Sequence, residues 1–211
     1  MLFLFIIIMK PKKNCLILLG MTVFFISCKT VRPFAGTEQS LILSGTAEMP
    51  FRVLQVTNRQ DSVFLRKACS DLKNFVGDST FHLLLARLKT TLEAENGVGI
   101  AAPQVGVSKN LFLFMRLDSP DTSIQVAVNP KIIRHSDTPV CFERDGCLSI
   151  PNRRGNSLRY KWIEVEYLNE KGEKIRERLE GYQRPNDFTA VIFQHEYDHT
   201  RGILFTDRGC E

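Results

Sequence analysis

Two histidines stand four residues apart in the segment QHEYDH, residues 194–199, although the whole chain has only four histidines. Side chains at i and i+4 lie on the same face of a helix, so both imidazoles can reach one metal ion. Glu196, between them, projects beside that ion, where it can take a proton from a water molecule. The spacing points to a metal-dependent hydrolase. The competing interpretation is a polar helix end that matches the pattern by accident.

The predicted helix over residues 187–201 decides between these two interpretations. At about 100° per residue, His195, Glu196 and His199 fall on one inward face. The same face carries three apolar side chains, Phe188, Val191 and Ile192. Burial of two imidazoles and a carboxylate together, without a metal, is costly. The metal site is therefore favoured over the polar helix end.

A catalytic zinc-type site needs a third protein ligand and an open coordination position. Residues 200–211 contain no histidine, so we expect the third ligand upstream of the helix. Cys147, in the segment DGCLS of residues 145–149, is the best candidate because it offers a thiolate and follows a glycine that permits a tight turn. Taken alone, Cys147 is more typical of a buried structural cysteine. Beside a two-histidine motif that lacks a third ligand, the metal role is favoured.

The elements that position these residues follow from hydrophobic periodicity. Apolar residues at helical spacing predict a helix that begins at Asp78 or Ser79 and stops by Gly97. Strands are predicted at 111–117 and at 124–128, the second ended by Asn129-Pro130.

Further along the chain, alternating residues at 162–168 and 173–179 predict a β-hairpin around a turn at 169–172. The last helix follows, with Asp187 as its expected N-cap and Gly202 as its end. The order of helix, antiparallel strands and helix predicts an α+β fold.

Composition limits the class of protein. The chain has 211 residues, 44% of them hydrophobic and 24% charged, which fits one globular domain with a substantial core. The formal net charge is +5, but there is no run of five basic residues and no basic stripe interleaved with aromatics. We therefore expect no nucleic-acid partner.

The amino terminus is typical of an export signal. A basic segment at 9–13, MKPKK, precedes an apolar stretch at 16–26 that is too short to span a bilayer comfortably, and Ser27-Cys28 follows. This pattern predicts a lipoprotein-type signal over residues 1–28, with Cys28 lipidated and the protein anchored in the cell envelope. A plain secretory signal and an N-terminal membrane anchor remain alternatives. If the segment is not a functional signal, the protein is cytoplasmic.

The rest of the chain divides into two parts in this interpretation. Residues 29–49 are predicted to be a tether with one short docked segment, and residues 50–211 are predicted to be the catalytic domain. The true start stays open between Met1 and Met9, because a signal more normally begins at Met9-Lys10. A disulfide among Cys69, Cys141 and Cys210 is possible, and the sequence does not choose the pair.

Three segments resemble the three motifs of bacterial peptide deformylases, in the same order. They are GVGIAAPQ at 97–104, DGCLS at 145–149 and QHEYDH at 194–199. The resemblance runs from about residue 53 to residue 207. It implies an α+β fold with the metal-binding helix packed among antiparallel sheets. It also implies removal of the formyl group from N-formylmethionyl peptides, with release of formate.

The resemblance also implies roles for individual residues. Cys147, His195 and His199 would hold one divalent ion, usually Fe²⁺, with Zn²⁺, Ni²⁺ or Co²⁺ able to replace it. Glu196 would act as general base and then protonate the leaving amine. The side-chain amide of Gln104 and the backbone N–H of Leu148 would stabilise the oxyanion.

By the same match, the substrate-binding residues would be Val98, Gly99, Arg154, Phe188 and Val191. Leu148 would also line the methionine pocket, and Arg159 would pair with Asp145. The expected partners are an N-formylated peptide and, through the lipid anchor, a membrane. A monomer is expected.

The sequence departs from the family pattern at three places. Asp145 stands where the family normally has glutamate, the approach to the last helix at 183–188 is longer, and an export signal precedes the domain. Two alternatives follow: an HExxH metallopeptidase outside the cytoplasm, and a catalytically idle deformylase-like module that binds peptides. The proposed cysteine ligand and Gln104 argue against the first, and the complete set of motif residues argues against the second.

Overall fold

The computed structural model describes residues 32–185 and 187–211. The predicted signal segment 1–28, with its lipidation site at Cys28, lies outside the described residues. Among the residues that are described, no helix is long and apolar enough to cross a membrane. The described residues form a single compact unit.

A five-stranded antiparallel sheet forms the centre of this unit, in the order β1-β2-β3-β6-β7. Its strands are Gly99–Ala101 (β1), Leu111–Met115 (β2), Ile124–His135 (β3), Ile163–Leu168 (β6) and Lys174–Leu179 (β7). The predicted hairpin corresponds to β6 and β7. The α+β prediction is confirmed, because the strands are antiparallel and helices pack on the sheet.

Both faces of β2 are buried, which explains its continuous apolar sequence LFLFM. Leu111 and Leu113 point into a core that also contains the long helix over Ser79–Ala94. Phe112 and Phe114 point into a second core and contact Phe193 edge to face, at 4.9 and 5.2 Å between ring centroids. The central sheet thus lies between two helical layers.

In the part of the chain that the structure describes, four α-helices and two 3-10 helices surround the sheets. The α-helices are Gly36–Ile42 (α1), Arg59–Leu65 (α2), Ser79–Ala94 (α3) and Thr189–Thr200 (α4). The 3-10 helices span Ala102–Val105 and Phe205–Arg208. α3 begins as predicted, since Asp78 is its N-cap and accepts a hydrogen bond from the Phe81 N–H at 2.9 Å.

A second sheet consists of the two-stranded hairpin of β4 (Pro139–Cys147) and β5 (Ile150–Tyr160). The sequence patterns missed this hairpin because its side chains do not alternate cleanly between apolar and polar. The pairing shifts register between Phe142 and Asp145 and again between Gly146 and Cys147. Such bulges bend a strand and redirect its side chains. They lie where the chain delivers Cys147.

The prediction that the strand from residue 124 ends at Asn129-Pro130 is wrong, because β3 continues to His135. Asn129 adopts a positive φ of 51°, and the pairing with β6 shifts between Val128 and Lys131. This bulge accommodates Pro130, which has no N–H to donate to the ladder. The Asn129 side chain also exchanges two hydrogen bonds of 2.8 Å with the backbone of Leu72.

The start of α4 also differs from the prediction. Phe188 is its N-cap, one residue later than expected. Asp187 still performs the chemistry of a cap, because its Oδ1 accepts a hydrogen bond from the Thr189 N–H at 2.8 Å.

α1 lies inside the segment that was interpreted as a tether. Its Ile42 is fully buried. Arg87, on α3, donates hydrogen bonds to the backbone oxygens of Leu41 and Ile42 at 3.1 and 2.9 Å, and to that of Met49 at 3.0 Å. One buried guanidinium therefore satisfies the carbonyls at the end of α1. The division of the chain at residue 50 stays a prediction.

Candidate metal centre

The three predicted ligand side chains converge. Donor atoms of Cys147, His195 and His199 lie within 4.8 Å of one another. The Cys147 Sγ is 3.2 Å from the His199 Nε2. Cys147 is delivered by the end of β4, and both histidines come from α4, one turn apart. A thiolate and two imidazoles are a donor set that suits a divalent transition metal.

The helix that carries the histidines is buried on nearly all sides, whereas the sequence predicted one inward face. Eleven of its twelve residues are buried. Its outer polar side chains are therefore paired within the fold. Gln194, for example, accepts a hydrogen bond from the Tyr160 N–H at 2.8 Å and donates one to the Tyr160 oxygen at 2.9 Å. These bonds fix α4 against β5.

Asp145 holds the first histidine in place. Its Oδ1 lies 3.1 Å from the His195 Nδ1, and its Oδ2 contacts Arg159 at 3.1 Å and the Ser157 hydroxyl at 2.6 Å. The predicted pairing of Arg159 with Asp145 is confirmed. Although burial opposes ionisation, His195 and Arg159 hold the pKa of Asp145 well below its usual range. The shorter side chain in the place of glutamate still spans both partners.

Asp198, to which the sequence assigned no catalytic role, belongs to the same charge network. Its Oδ2 lies 2.6 Å from Nη1 of Arg159, and both of its oxygens accept hydrogen bonds from Arg208 at 2.9 and 2.7 Å. Arg159 is 1% exposed and Asp198 is 3% exposed. Sequence reasoning missed Arg208, because no pattern connects the tail of the chain to β5.

The disulfide is formed by Cys141 and Cys210. It ties β4 to the end of the chain, two residues beyond Arg208. Cys69 and Cys147 are free thiols. Burial raises the pKa of the Cys69 thiol to about 11, which leaves it protonated and unreactive.

The two histidines differ in charge preference. Burial lowers the pKa of His195, but the neighbouring Asp145 carboxylate outweighs burial and raises that pKa well above its ordinary value. Burial and the nearby His195 together lower the pKa of His199 well below its ordinary value. His199 is therefore neutral and presents a free lone pair, as a metal ligand must.

Glu196 lies beside these ligands and is fully buried on the inner face of α4. Burial is the main reason that its pKa is raised to about 7. Its Oε2 has no hydrogen-bond partner among the described residues, and neither has the His199 Nδ1. A buried carboxylate oxygen without a partner is a group that can exchange a proton with a small ligand in the site.

Gly99 gives Glu196 its space. A Cβ at this position would meet the Glu196 Oε1 at 2.5 Å, closer than any real side chain approaches. Gly97 is also crowded, because a Cβ there would lie 2.8 Å from the Leu92 side chain and 3.3 Å from the Leu148 side chain. β1 can therefore lie directly against the centre only because these positions lack side chains.

Gln104 is oriented by its own 3-10 helix. Its Oε1 accepts a hydrogen bond from the Ala101 N–H at 2.8 Å, which turns the Nε2 toward the centre. The Nε2 lies 3.3 Å from the Ser149 Oγ and 3.7 Å from the Cys147 Sγ. The amide therefore presents its N–H groups beside the ligands.

A cleft of about 730 Å³ opens over the centre. All of the predicted substrate-binding residues line it: Val98, Gly99, Arg154, Phe188 and Val191. The predicted catalytic residues Gln104, Leu148 and Glu196 line it too, together with Cys147 and His195. Arg153 and Arg184 stand in its wall as well, and sequence reasoning did not anticipate them.

Comparison with known proteins shows which family has this arrangement. The model of the family described as polypeptide deformylase matches residues 53–210. The chain belongs to the peptide deformylase family. It is 39% identical over 150 residues to peptide deformylase 2 of Nostoc sp., covering 68% of this chain and 79% of the relative. It is 40% identical over 153 residues to peptide deformylase 2 of Clostridium acetobutylicum, covering 72% of this chain and 93% of the relative.

Solved deformylase structures have the same fold. A Met-Ala-Ser-bound class I type b enzyme from Acinetobacter baumannii superposes with a TM-score of 0.66 at 30% identity, covering 76% of this chain and 99% of that one. The peptide deformylase of Thermotoga maritima superposes with a TM-score of 0.65 at 32% identity, covering 77% of this chain and 99% of that one. The peptide deformylase family is metal-dependent, and its member described here carries a Cys-His-His group.

Proposed function

We propose that this protein hydrolyses the formyl amide of N-formylmethionyl peptides and releases formate. The observation that carries the proposal is the convergence of Cys147, His195 and His199 beside the buried Glu196, at the base of a cleft. Family membership supports the same reaction. An HExxH metallopeptidase and an idle binding module are not favoured, because the ligand set includes a cysteine and the base and the amide donor are both in place.

The donor set fits one divalent ion, held by the Cys147 thiolate and the two imidazoles. His199 is neutral, and the Nδ1–H of His195 is directed to Asp145, so both imidazoles can offer their Nε2 atoms once a binding ion displaces the second proton of His195. We assign Fe²⁺ as the native ion, with Zn²⁺ or Ni²⁺ able to replace it, because mixed thiolate and imidazole sites accept all three. When bound, the ion supplies Lewis acidity that polarises the formyl oxygen and acidifies water.

Glu196 is the proposed general base and acid. Its pKa of about 7 places the carboxylate near the balance point at which a group both accepts and returns a proton. In the proposed reaction, Glu196 takes a proton from the attacking water and then delivers it to the leaving amine nitrogen. The oxygen Oε2, which has no partner among the described residues, is available for that proton.

Gln104 and Leu148 are the proposed donors to the oxyanion that forms at the formyl carbon. The Gln104 Nε2 is held in place through the Ala101 N–H, so it loses little freedom when it donates. The apolar wall formed by Val98, Phe188 and Val191 is the proposed pocket for the methionine side chain. Gly99 lets the substrate backbone approach the centre closely.

Formate release tests this function. The full-length chain, purified anaerobically in detergent with Fe²⁺ or with Ni²⁺, is expected to release formate from formyl-Met-Ala. Glu196→Ala is expected to retain the metal and lose at least about 100-fold in kcat, because general acid–base catalysis contributes that much. Glu170→Ala, at an exposed glutamate in the turn between β6 and β7, is the matched control. Formate release that is absent with each metal, or equal in Glu196→Ala, would refute the function.

We further propose that the protein is anchored in the cell envelope through a lipid on Cys28. Two observations support this location: the Ser27-Cys28 junction after an apolar stretch, and the Cys141–Cys210 disulfide. Disulfides persist in oxidising compartments and are rare in cytosolic proteins. Metabolic labelling with a fatty acid tests the anchor. Label is expected in the wild type and absent from Cys28→Ser, and a variant that retains the label contradicts lipidation at this residue.

A further inference from the structure

Four arginines gather at the mouth of the cleft, and the family resemblance assigned only one of them, Arg154, to substrate binding. Arg153, Arg154 and Arg184 line the cleft, and Arg144 lies directly beside them. We call these four residues the arginine rim. All four are exposed. Of the carboxylates that line the same cleft, only that of Glu95 is exposed, so the mouth is positively charged.

The rim is close to the reacting centre. Arg154 pairs across the β4–β5 hairpin with Gly146, the residue before Cys147. A Cβ on Gly146 would lie 3.5 Å from Nη1 of Arg154, so the guanidinium lies over this backbone. The same Nη1 is 3.5 Å from the backbone oxygen of Arg144. Two arginines therefore lie beside the strand that delivers the cysteine.

Arg184 approaches from the segment before α4. Its guanidinium lies 4.3 Å from the ring centroid of Phe188 and 5.2 Å from that of Phe142. Both rings line the cleft. Stacking on aromatic faces fixes the plane of a guanidinium and leaves its N–H groups at the edge free for a planar anion. Arg184 is thus a preorganised cation in the wall of the cleft.

The rim lacks the counterions that other arginines of the protein have. Arg52, Arg116 and Arg208 each form an ion pair of 2.8 Å or less with a carboxylate. No rim arginine forms one with any carboxylate in residues 32–185 and 187–211. Burial and then Arg154 lower the pKa of the Arg184 guanidinium, and Arg144 adds to this effect against the opposing Asp145. An additional carboxylate would relieve this repulsion.

We propose that the arginine rim binds a carboxylate of the substrate, located on the carboxyl-terminal side of the formylmethionine. The inference rests on the proposed deformylase function and names its preferred substrates. Two extended residues span about 7 Å, so a carboxylate one or two residues after the methionine is within reach of long arginine side chains. The carboxylate has two possible sources: the free carboxyl terminus of a short formyl peptide, or an acidic side chain in a longer chain.

Matched peptides distinguish these sources. The full-length iron enzyme would be assayed with formyl-Met-Ala-Ala, with its carboxyl-terminal amide, and with formyl-Met-Asp-Ala amide and formyl-Met-Lys-Ala amide. We expect kcat/KM to be about five- to tenfold higher for a carboxylate-bearing peptide than for its neutral or lysine counterpart. The difference should lie mainly in KM, because the carboxylate is bound equally in the ground and transition states. It should shrink in 0.5 M NaCl, which screens exposed charges.

The pattern of rates identifies the source. Preference for formyl-Met-Ala-Ala over its amide assigns the free terminus, and preference for aspartate over lysine assigns the side chain. Equal kcat/KM for all four peptides overturns the proposal. Calorimetric binding of the N-acetyl counterparts, from which no formate can be released, tests the rim separately. Tight, carboxylate-dependent binding of the N-acetyl peptides, together with no formate release from the formyl peptides, would refute the deformylase function and leave the rim intact.

Variants of Arg184 test the residue itself. Arg184→Gln is expected to remove most of the preference for the carboxylate, so that kcat/KM for the carboxylate-bearing peptide falls toward that of its amide. Arg184→Lys is expected to retain part of the preference, because the charge remains. Arg134→Gln, on β3 outside the cleft, is the matched control. If Arg184→Gln keeps the full preference, or if the lysine and glutamine variants behave alike, Arg184 does not recognise the carboxylate.

Discussion

The carboxylate of Asp145 contacts the imidazole of His195, with Oδ1 3.1 Å from Nδ1. This contact places the ring proton on Nδ1 and leaves Nε2 as the lone-pair atom for a metal. Asp145 is itself held by Arg159, and Arg159 by Asp198. Three buried groups of alternating charge, Asp145, Arg159 and Asp198, therefore fix the orientation of one ligand. Asp145 stands where the family normally has glutamate, and its shorter side chain still contacts both His195 and Arg159.

Removal of the Asp145 charge should weaken metal binding. We expect Asp145→Asn to lower the affinity for Zn²⁺ or Ni²⁺ by about 10- to 100-fold, because the amide neither stabilises the His195 proton nor balances Arg159. Competition with a chromophoric chelator measures this affinity. Asp145→Glu keeps the charge and is the matched control, with an expected loss of less than tenfold. Equal affinities for the wild type and Asp145→Asn would contradict a positioning role.

A methyl group on Gly99 should disturb the proposed base. In Gly99→Ala, the new Cβ would collide with Glu196, so either β1 or the carboxylate must move. A displacement of about 1 Å at a catalytic group costs about 100-fold in rate, and we expect a fall of that size in kcat. Gly36→Ala, where a Cβ meets nothing within 4 Å, is the control. Unchanged kcat in Gly99→Ala would show that the carboxylate has room to move.

The ion pair of Arg52 with Asp61 should make stability depend on acid pH. Arg52 donates two hydrogen bonds to the Asp61 carboxylate, at 2.7 and 2.9 Å, and the Gln55 N–H donates a third. The hydrogen bonds from Arg52 outweigh burial and lower the pKa of Asp61. A lowered pKa in the folded state stabilises the fold above the unfolded pKa of about 3.9. That stabilisation is lost as the pH falls through the lower folded value.

Urea unfolding of the wild type and Asp61→Asn at pH values from 2 to 6 measures this effect. The wild type should be more stable above pH 4, and the two free energies of unfolding should converge below it. A constant difference across the range would show that Asp61 acts through packing. Gln55, whose N–H donates to Asp61, also lines the cleft. The activity of Asp61→Asn therefore reports whether the contact with Asp61 holds this part of the cleft wall in place.

Reduction of the Cys141–Cys210 disulfide should destabilise the domain. The bond joins residues 69 apart in sequence, and the entropy of closing such a loop corresponds to roughly 4 kcal/mol. We expect dithiothreitol to lower the free energy of unfolding by about 2–4 kcal/mol in the wild type and to leave the double variant Cys141→Ser/Cys210→Ser unchanged. Equal urea midpoints for oxidised and reduced wild type would show that the bond carries no stability.

The sequence predicted the metal ligands and the helix that carries both histidines, because their spacing expresses the chemistry directly. It also predicted α3 and the β6–β7 hairpin, where periodicity and caps agree. It missed the β4–β5 hairpin, because bulges disrupt the alternation of its side chains. Arg208 and Arg184 were missed for a different reason. Only tertiary packing brings Arg208 to Asp198 and Arg184 to Phe142, and no local pattern in the sequence reports such contacts.

The pairing of the cysteines could not be predicted from the sequence either. Apart from the predicted metal ligand, the predicted catalytic domain has three cysteines, which allow three pairings, and no local pattern distinguishes among them. The bulge at Asn129 was hidden as well, because Asn-Pro is a normal strand end and only the contact with Leu72 shows why the strand continues.

The disulfide makes the centre part of a covalent macrocycle. Cys147, His195, Glu196 and His199 all lie between Cys141 and Cys210 in the sequence. In an oxidised chain that has lost its fold, the three proposed ligands still belong to one closed ring, so fewer conformations separate them than in a linear chain. The oxidised polypeptide therefore behaves as a loosely preorganised chelator.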